Sequence, residues 1–190
     1  MERGRLIVLE GPDGSGKTTQ IELLEKYLQQ SGYEVVRVRE PGGTEISEKI
    51  REIILDNNNF NMSYMCEALL YAASRAQLVS EVIKPALNNG KIVICDRFVY
   101  SSMVYQGIGR GLGMERIKNI NEAALDGLNP DLTIMITIPY EEGLNRKKVQ
   151  GNLDRLENSG NEFHKKVFEG YMDISKKYDK IEVLEDRKSV

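Results

Sequence analysis

The chain has only two cysteines, Cys66 and Cys95, and they show no metal-ligand spacing. With 190 residues the chain can bury a real core without a disulfide or a structural metal. Both cysteines therefore read as buried thiols in a reducing compartment. Long apolar runs are also missing: nothing approaches the roughly twenty residues of a membrane span. The opening stretch Leu6-Ile-Val-Leu9 is too short for a secretory signal, so a cytoplasmic location is the expectation. Positive charge is not in excess, since 26 Lys and Arg face 29 Asp and Glu for a net charge of −3. That excludes a global basic field for nucleic acid, though not a local patch. Proline is scarce, and linker-like and repeated segments are absent. With 41% hydrophobic residues, collagen-like, low-complexity and disordered classes are excluded. What remains is one globular domain, with at most a small appendage.

What is present alternates. Arg5–Glu10 is a short apolar run ending in a Gly-rich turn, the pattern of a buried parallel strand. A helix over 17–30 carries Ile21, Leu24, Tyr27 and Leu28 and stops at Ser31-Gly32. Residues 34–39 read as a second strand and 44–55 as a helix with Ile46, Ile50, Ile53 and Ile54 as its stripe. A polar loop at 56–61 precedes a long helical region over 64–88, bent near Pro85. Strands are expected at 91–96, 131–138 and 180–184, and helices at 114–126 and 161–178, with a strongly charged segment at 140–160. Five strands separated by helices predict an α/β sandwich on a parallel sheet.

Gly11-Pro-Asp-Gly-Ser-Gly-Lys17-Thr18 satisfies G-x-x-x-x-G-K-[ST] between a strand and a helix start. Glycines let backbone N–H groups turn inward around an anion, and the helix N-terminus adds partial positive charge. Lys17 would reach the β- and γ-phosphates of a nucleoside triphosphate, and the Thr18 hydroxyl would bind Mg²⁺. A second site stands at Cys95-Asp96-Arg97. Asp96, at the end of an apolar strand, suits a Mg²⁺-organising carboxylate, and Arg97 offers a planar fork for phosphate oxygens. The plainer alternative is an Asp–Arg pair capping the next helix. Ligands of open α/β sheets bind at the carboxyl ends of strands, so both segments should converge.

A GTPase switch would carry an Asn-Lys-x-Asp stretch for its base, and none exists. Arginines recur instead at 39, 75, 97, 146 and 155. A loose phosphoryl-transfer transition state needs positioning and charge neutralisation more than a strong base, so these suit transfer between two anionic partners. The charge run at 140–160, with Arg146, Lys147, Lys148 and Arg155, fits a solvated surface helix. It fits equally a lid that closes over the phosphates and excludes water.

Taken together, Leu9–Gln20, Arg39-Glu-Pro-Gly-Gly-Thr44, Ala72-Ala-Ser-Arg75, Asp96-Arg-Phe98, Tyr105-Gln-Gly107 and Leu153-Asp-Arg-Leu-Glu157 resemble the thymidylate kinases over about residues 5–185. The resemblance implies a three-layer α/β/α P-loop NTPase fold with strand order 2-3-1-4-5 and a small lid at 140–160. It implies ATP- and Mg²⁺-dependent conversion of dTMP to dTDP, a step of dTTP biosynthesis, by a homodimer. ATP would lie on Gly11, Pro12, Asp13, Gly14, Ser15, Gly16, Lys17, Thr18, Thr19 and Arg146. Asp13 would hold the acceptor sugar, and Arg39 and Arg97 its phosphate. Tyr71 would stack on thymine, where the family more often has Phe. Arg75, four residues on and on the same helix face, would bond a base carbonyl. Ser74, Ser101, Ser102 and Gln106 fall near the base. Tyr105 would crowd the 2′ position and favour deoxyribose, a shape discrimination on the order of 10²-fold.

Gly14 occupies the place where one branch of the family has a loop arginine, so the chain resembles the lid-arginine branch. There Arg155, with Arg146 or Lys148 as alternatives, would neutralise the transferring phosphoryl group, and Asp154 and Glu157 would orient lid or acceptor. The expected catalytic set is Lys17, Asp13, Arg97, Arg155 and Asp96, with Thr18 and Asp96 at the metal. Family members usually continue with a further helix. Glu185–Lys188 corresponds to the stretch near the donor adenine, expected to be affected by an end at Val190. Helices at 44–55, 64–88 and 114–126 are the candidate dimer face. The rival readings are another nucleotide kinase, for instance one taking dUMP or a deoxynucleoside, and a non-catalytic P-loop binding protein.

Overall fold

The computed structural model describes residues 3–151 and 154–185, with backbone only at 147, 148 and 150. Strands β1 (Arg5–Glu10), β2 (Val35–Arg39), β3 (Ile92–Asp96), β4 (Leu132–Thr137) and β5 (Ile181–Glu185) form one parallel sheet in the order β2-β3-β1-β4-β5. Both the strands and their order agree with expectation. Side chains alternate between the two faces of a strand, and each face has its own core. Leu6, Val8, Val93 and Cys95 pack under one set of helices. Leu9, Ile92, Ile94 and Ile136 pack on the opposite face, where the described residues from outside the sheet are Ile21, Leu24 and Leu28 of α1 (Lys17–Gln30). This gives the three layers.

Register brings the chemistry to one edge. Leu9 and Arg39 both pair with Asp96 on β3, so the loops leaving β1, β2 and β3 start level. The remaining helices are α2 (Glu45–Leu55), α3 (Tyr64–Leu78), α4 (Lys84–Asn88), α5 (Val99–Ser102), α6 (Met114–Leu125), α7 (Tyr140–Gln150) and α8 (Asn161–Lys177). Thr44 caps α2 by accepting the Ser47 N–H, and Ser63 caps α3 by accepting the Cys66 N–H.

Three differences from expectation have physical causes. The 64–88 helix runs through, but Val79–Ile83 is a π turn in which the Lys84 N–H reaches the Val79 carbonyl. Pro85 lacks an N–H and its ring crowds the carbonyl four residues back, so a widened turn absorbs it. Residues 99–109, which carry no helical stripe, form α5 and a π segment, Met103–Gly109. Met103, Val104, Tyr105, Gln106 and Gly107 are all buried there. A helix covered on all sides has no apolar period to read. Finally, Cys66 is exposed while Cys95 is buried, which corrects the pairing of the two as buried thiols. Cys66 sits in the first turn of α3. Among the described residues no helix is long and apolar enough to cross a membrane.

Candidate active site

The loop 11–16 wraps between β1 and α1. Gly14 and Gly16 have φ of 73° and 84°, a region other residues enter only with strain. Gly14 has a second reason. A Cβ there would lie 2.4 Å from the Gly143 carbonyl oxygen, and one on Gly143 would lie 2.3 Å from that of Asp13. Loop and α7 therefore meet backbone to backbone, and the charged segment 140–150 packs on the phosphate loop with one face. Arg146 donates to the Gly14 carbonyl at 3.2 Å and pairs with Glu142 at 3.0 Å.

The Lys17 ammonium is folded into this loop, donating to the carbonyls of Gly11 (3.0 Å) and Pro12 (2.8 Å). Burial, then the positive charge of Arg97, lowers its pKa from 10.5 to about 7. Asp96 faces it from the end of β3, and Asp96 Oδ1 is buried without a hydrogen-bond partner. A buried orphan carboxylate oxygen beside a phosphate loop is what a cation site requires. Thr18 opens onto the same cleft. No group of three or more His, Cys, Asp or Glu among the described residues could cage an ion.

Arg97 has a left-handed backbone, φ 67°, a strain of about 1–3 kcal/mol in a non-glycine residue. Its N–H is held by the Leu9 carbonyl at 2.9 Å. The buried Glu10 carboxylate takes the N–H groups of Phe98 (2.9 Å) and Ser101 (3.1 Å) and the Ser101 hydroxyl (2.6 Å). So fixed, the Arg97 guanidinium reaches back over the Tyr105 ring at 5.2 Å. It pairs with Asp13 at 2.5 Å and donates to the Gly11 carbonyl at 2.9 Å. Tyr105 donates to the other Asp13 oxygen at 2.6 Å. Burial first, against the attraction of Arg97, pushes the Tyr105 phenol well up, so it stays protonated and a donor.

These groups line a cleft of about 510 Å³ that runs from Lys17, Thr18 and Thr19 past Asp96 and Arg97 to Tyr71, Gln106, Asp154 and Glu157. Arg39 stands on its rim, paired with Glu48 at 2.8 Å. Arg75 lies on its floor, 1% exposed, bonded to Glu40, Asn121, the Phe98 carbonyl and Ser102. Burial raises the Glu40 carboxyl from 4.5 to about 7 against the pull of Arg75. Ser101 and Ser102 line the cleft, but Ser74 does not. The Ser74 hydroxyl accepts from the Gly42 N–H at 3.2 Å and so braces the turn after Arg39 from behind. Asp154 caps the turn that follows it, accepting from Leu156 and Glu157 at 2.9 Å each.

A family model described as thymidylate kinase matches residues 9–190. The chain belongs to the thymidylate kinase family. It is 51% identical to the thymidylate kinase of Finegoldia magna over 97% of this chain and 91% of that one. With that of Thermoanaerobacter sp. strain X514 it shares 54% identity over 94% and 87%. The crystal structure of the Ehrlichia chaffeensis thymidylate kinase superposes with a TM-score of 0.80 at 34% identity, covering 99% of this chain and 90% of that chain.

Against the family pattern, the structure does not bring Arg155 to the phosphate loop. Its Nε donates to the Ile54 carbonyl at 2.8 Å and Nη2 pairs with the buried Glu67 at 2.7 Å, behind the cleft wall. Arg146 is the arginine of the charged segment that reaches the loop among the described residues; the side chain of Lys148 and Leu153 lie outside the described residues, as do residues 186–188 near the expected adenine site. Sequence reading missed Arg51, which lines the cleft beside Arg39 and donates to the Pro41 carbonyl at 3.0 Å. Burial and Arg39 lower its pKa, as expected where two cations await an anion. Its position on α2, three residues after Glu48, was the available signal. Glu10 at the end of β1, Glu40 in the turn after β2 and Glu67 in α3 were missed because a carboxylate announces burial only once its partners are known.

Proposed function

We propose that this family member transfers the γ-phosphoryl group of ATP to dTMP, yielding dTDP and ADP. The observation that carries the reading is the meeting of two cationic clusters, Lys17 with the loop 11–19 and Arg39, Arg51 and Arg97, in one cleft that ends in an aromatic pocket. Two anions held end to end is the geometry of phosphoryl transfer between nucleotides.

Loop N–H groups and Lys17 bind the triphosphate. Arg39, Arg51 and Arg97 hold the acceptor phosphate, and Asp13 and Tyr105 orient its sugar. Tyr71, Arg75, Ser101, Ser102 and Gln106 form the thymine wall, with Asp154 and Glu157 closing it. An oxygen of the dTMP phosphate attacks the γ-phosphorus, and the bond from it to the β-bridging oxygen breaks. The attacking phosphate is already anionic, so no strong base is needed. Thr18 and Asp96 would hold magnesium, which when bound adds neutralisation of phosphate charge. Arg146, from the segment that closes over the loop, neutralises the moving phosphoryl group in place of Arg155.

The whole chain is read as one kinase domain with residues 140–160 as its lid. A homodimer through α2 and α3 is supported by Ile46, Ile53, Tyr64 and Leu69, each about half exposed. Sedimentation of the purified chain tests that assembly. A coupled assay of ADP release with dTMP, dUMP, UMP and thymidine tests the reaction. Turnover with dTMP well above UMP is expected. Equal rates for the two would overturn the role of Tyr105, and no turnover with any acceptor despite ATP binding would leave a binding protein.

A further inference from the structure

Glu67 is fully buried in the first turns of α3 and does not itself line the cleft. Three elements reach it from behind the cleft wall. Gln106 of the π segment donates to Oε1 at 2.9 Å. Arg110, just past that segment, lies at 3.2 Å and 3.3 Å from the two oxygens. Arg155 pairs with Oε2 at 2.7 Å, and its N–H and Nε bond the carbonyls of Leu55 and Ile54 at the end of α2. One carboxylate thus faces two guanidinium groups, 8% and 10% exposed.

Such a cluster is a poor device for stability alone, because apolar residues of like volume would cost less desolvation. Its placement gives it another use. Tyr71 is one turn from Glu67 on the same helix face. Gln106 both lines the cleft and bonds Glu67. Asp154 and Leu156, which flank Arg155, also line the cleft. Three parts of the aromatic end, the helix bearing Tyr71, Gln106 and the turn after Asp154, are therefore tied to one hidden carboxylate.

We infer that Glu67 is a positioning residue: with Arg155 and Arg110 it latches the turn at 154–159 to α3 and so sets the width of the acceptor-base pocket. The clause about the acceptor rests on the dTMP reading; the latch itself does not. Arg155 is then the hinge pin of the lid's C-terminal end and not a group that meets phosphate.

Two measurements on the full chain test this. In hydrogen exchange of the nucleotide-free protein, Glu67→Gln should speed the amides of Arg155, Asn158 and Ser159 about tenfold while the sheet and α8 keep their protection. In steady-state kinetics the same variant should raise the KM for dTMP about tenfold and leave that for ATP within about twofold. Arg155→Gln should act alike, the double variant should be no worse than either alone, and Arg155→Lys, which keeps the charge, should recover part of the loss. If Glu67→Gln does not fold, the two Arg155 variants carry the test. Unchanged exchange at 154–159, loosening spread over the whole chain, or equal losses for both substrates would each overturn the latch. Should the wild type fail to turn over dTMP, the substrate reading falls and the exchange result alone decides the latch.

Discussion

Lys17 is held in an environment that works against its own charge. It donates to two carbonyls, but burial and the nearby Arg97 leave its pKa at about 7. Phosphate oxygens entering the loop would reverse that balance by supplying negative charge at contact distance. At pH 8 the free protein holds Lys17 mostly neutral and the complex holds it charged, so ATP binding should take up a fraction approaching one proton. Calorimetry in buffers of different ionisation enthalpy reads this directly, and the uptake should vanish towards pH 6, where Lys17 is already charged. A second expectation at this scale separates two arginines. Arg146→Ala should lower kcat by roughly 10²–10³ with little change in KM, as for a group that acts on transition-state charge. Arg155→Ala should act mainly through the dTMP KM. The reverse pattern would return the transfer role to Arg155.

Elements matter here through how closely they approach. Gly143 closes the first turn of α7, inside the helix, where glycine costs up to about 1 kcal/mol against alanine. It is kept there by the 2.3 Å that would separate its Cβ from the Asp13 carbonyl oxygen. Because the clash is with backbone, Gly143→Ala must push the helix off the loop. ATP affinity should fall about tenfold or more, with a loss of stability of about 1–3 kcal/mol, measurable by titration and thermal unfolding. Nothing in the charge run at 140–160 announced this contact; a glycine in a polar helix looks like a defect until its neighbour is seen. The π segment at 103–109 was equally silent, since Val104, Tyr105 and Gln106 are buried on every side. By contrast the phosphate loop, the strand ending in Asp96 and the hexapeptide from Arg39 to Thr44 were all legible. In each, backbone conformation and chemistry are set by residues adjacent in the chain.

At the scale of the molecule, the acidic net charge hides a cationic cleft, and the cleft costs the free protein stability. Lys17 binds fewer protons folded than unfolded between pH 7 and 10.5. Stability therefore rises with pH across that window from this group. Glu40 acts oppositely and lower: its raised carboxyl binds more protons folded between pH 4.5 and 7, so its contribution falls as pH rises there. The nucleotide-free chain should thus gain thermal stability from pH 7 to 9. Lys17→Met should remove most of that gain, and saturating ATP should flatten it.

What the sequence determined by itself is the fold and the donor half of the site. The alternation of apolar runs with helical stripes dictates a parallel sheet, and the glycines at 11, 14 and 16 dictate an anion-binding turn wherever that sheet lies. The tertiary structure alone decided which arginine reaches the phosphate loop and which is turned inward. Arg146 and Arg155 are alike in type and nine residues apart in one charged run. They part because Glu67, from a helix more than 70 residues earlier, is buried where Arg155 pairs with it while Arg146 reaches the loop. A buried carboxylate must be answered by a nearby cation, and which cation is nearby is a property of packing, not of order along the chain.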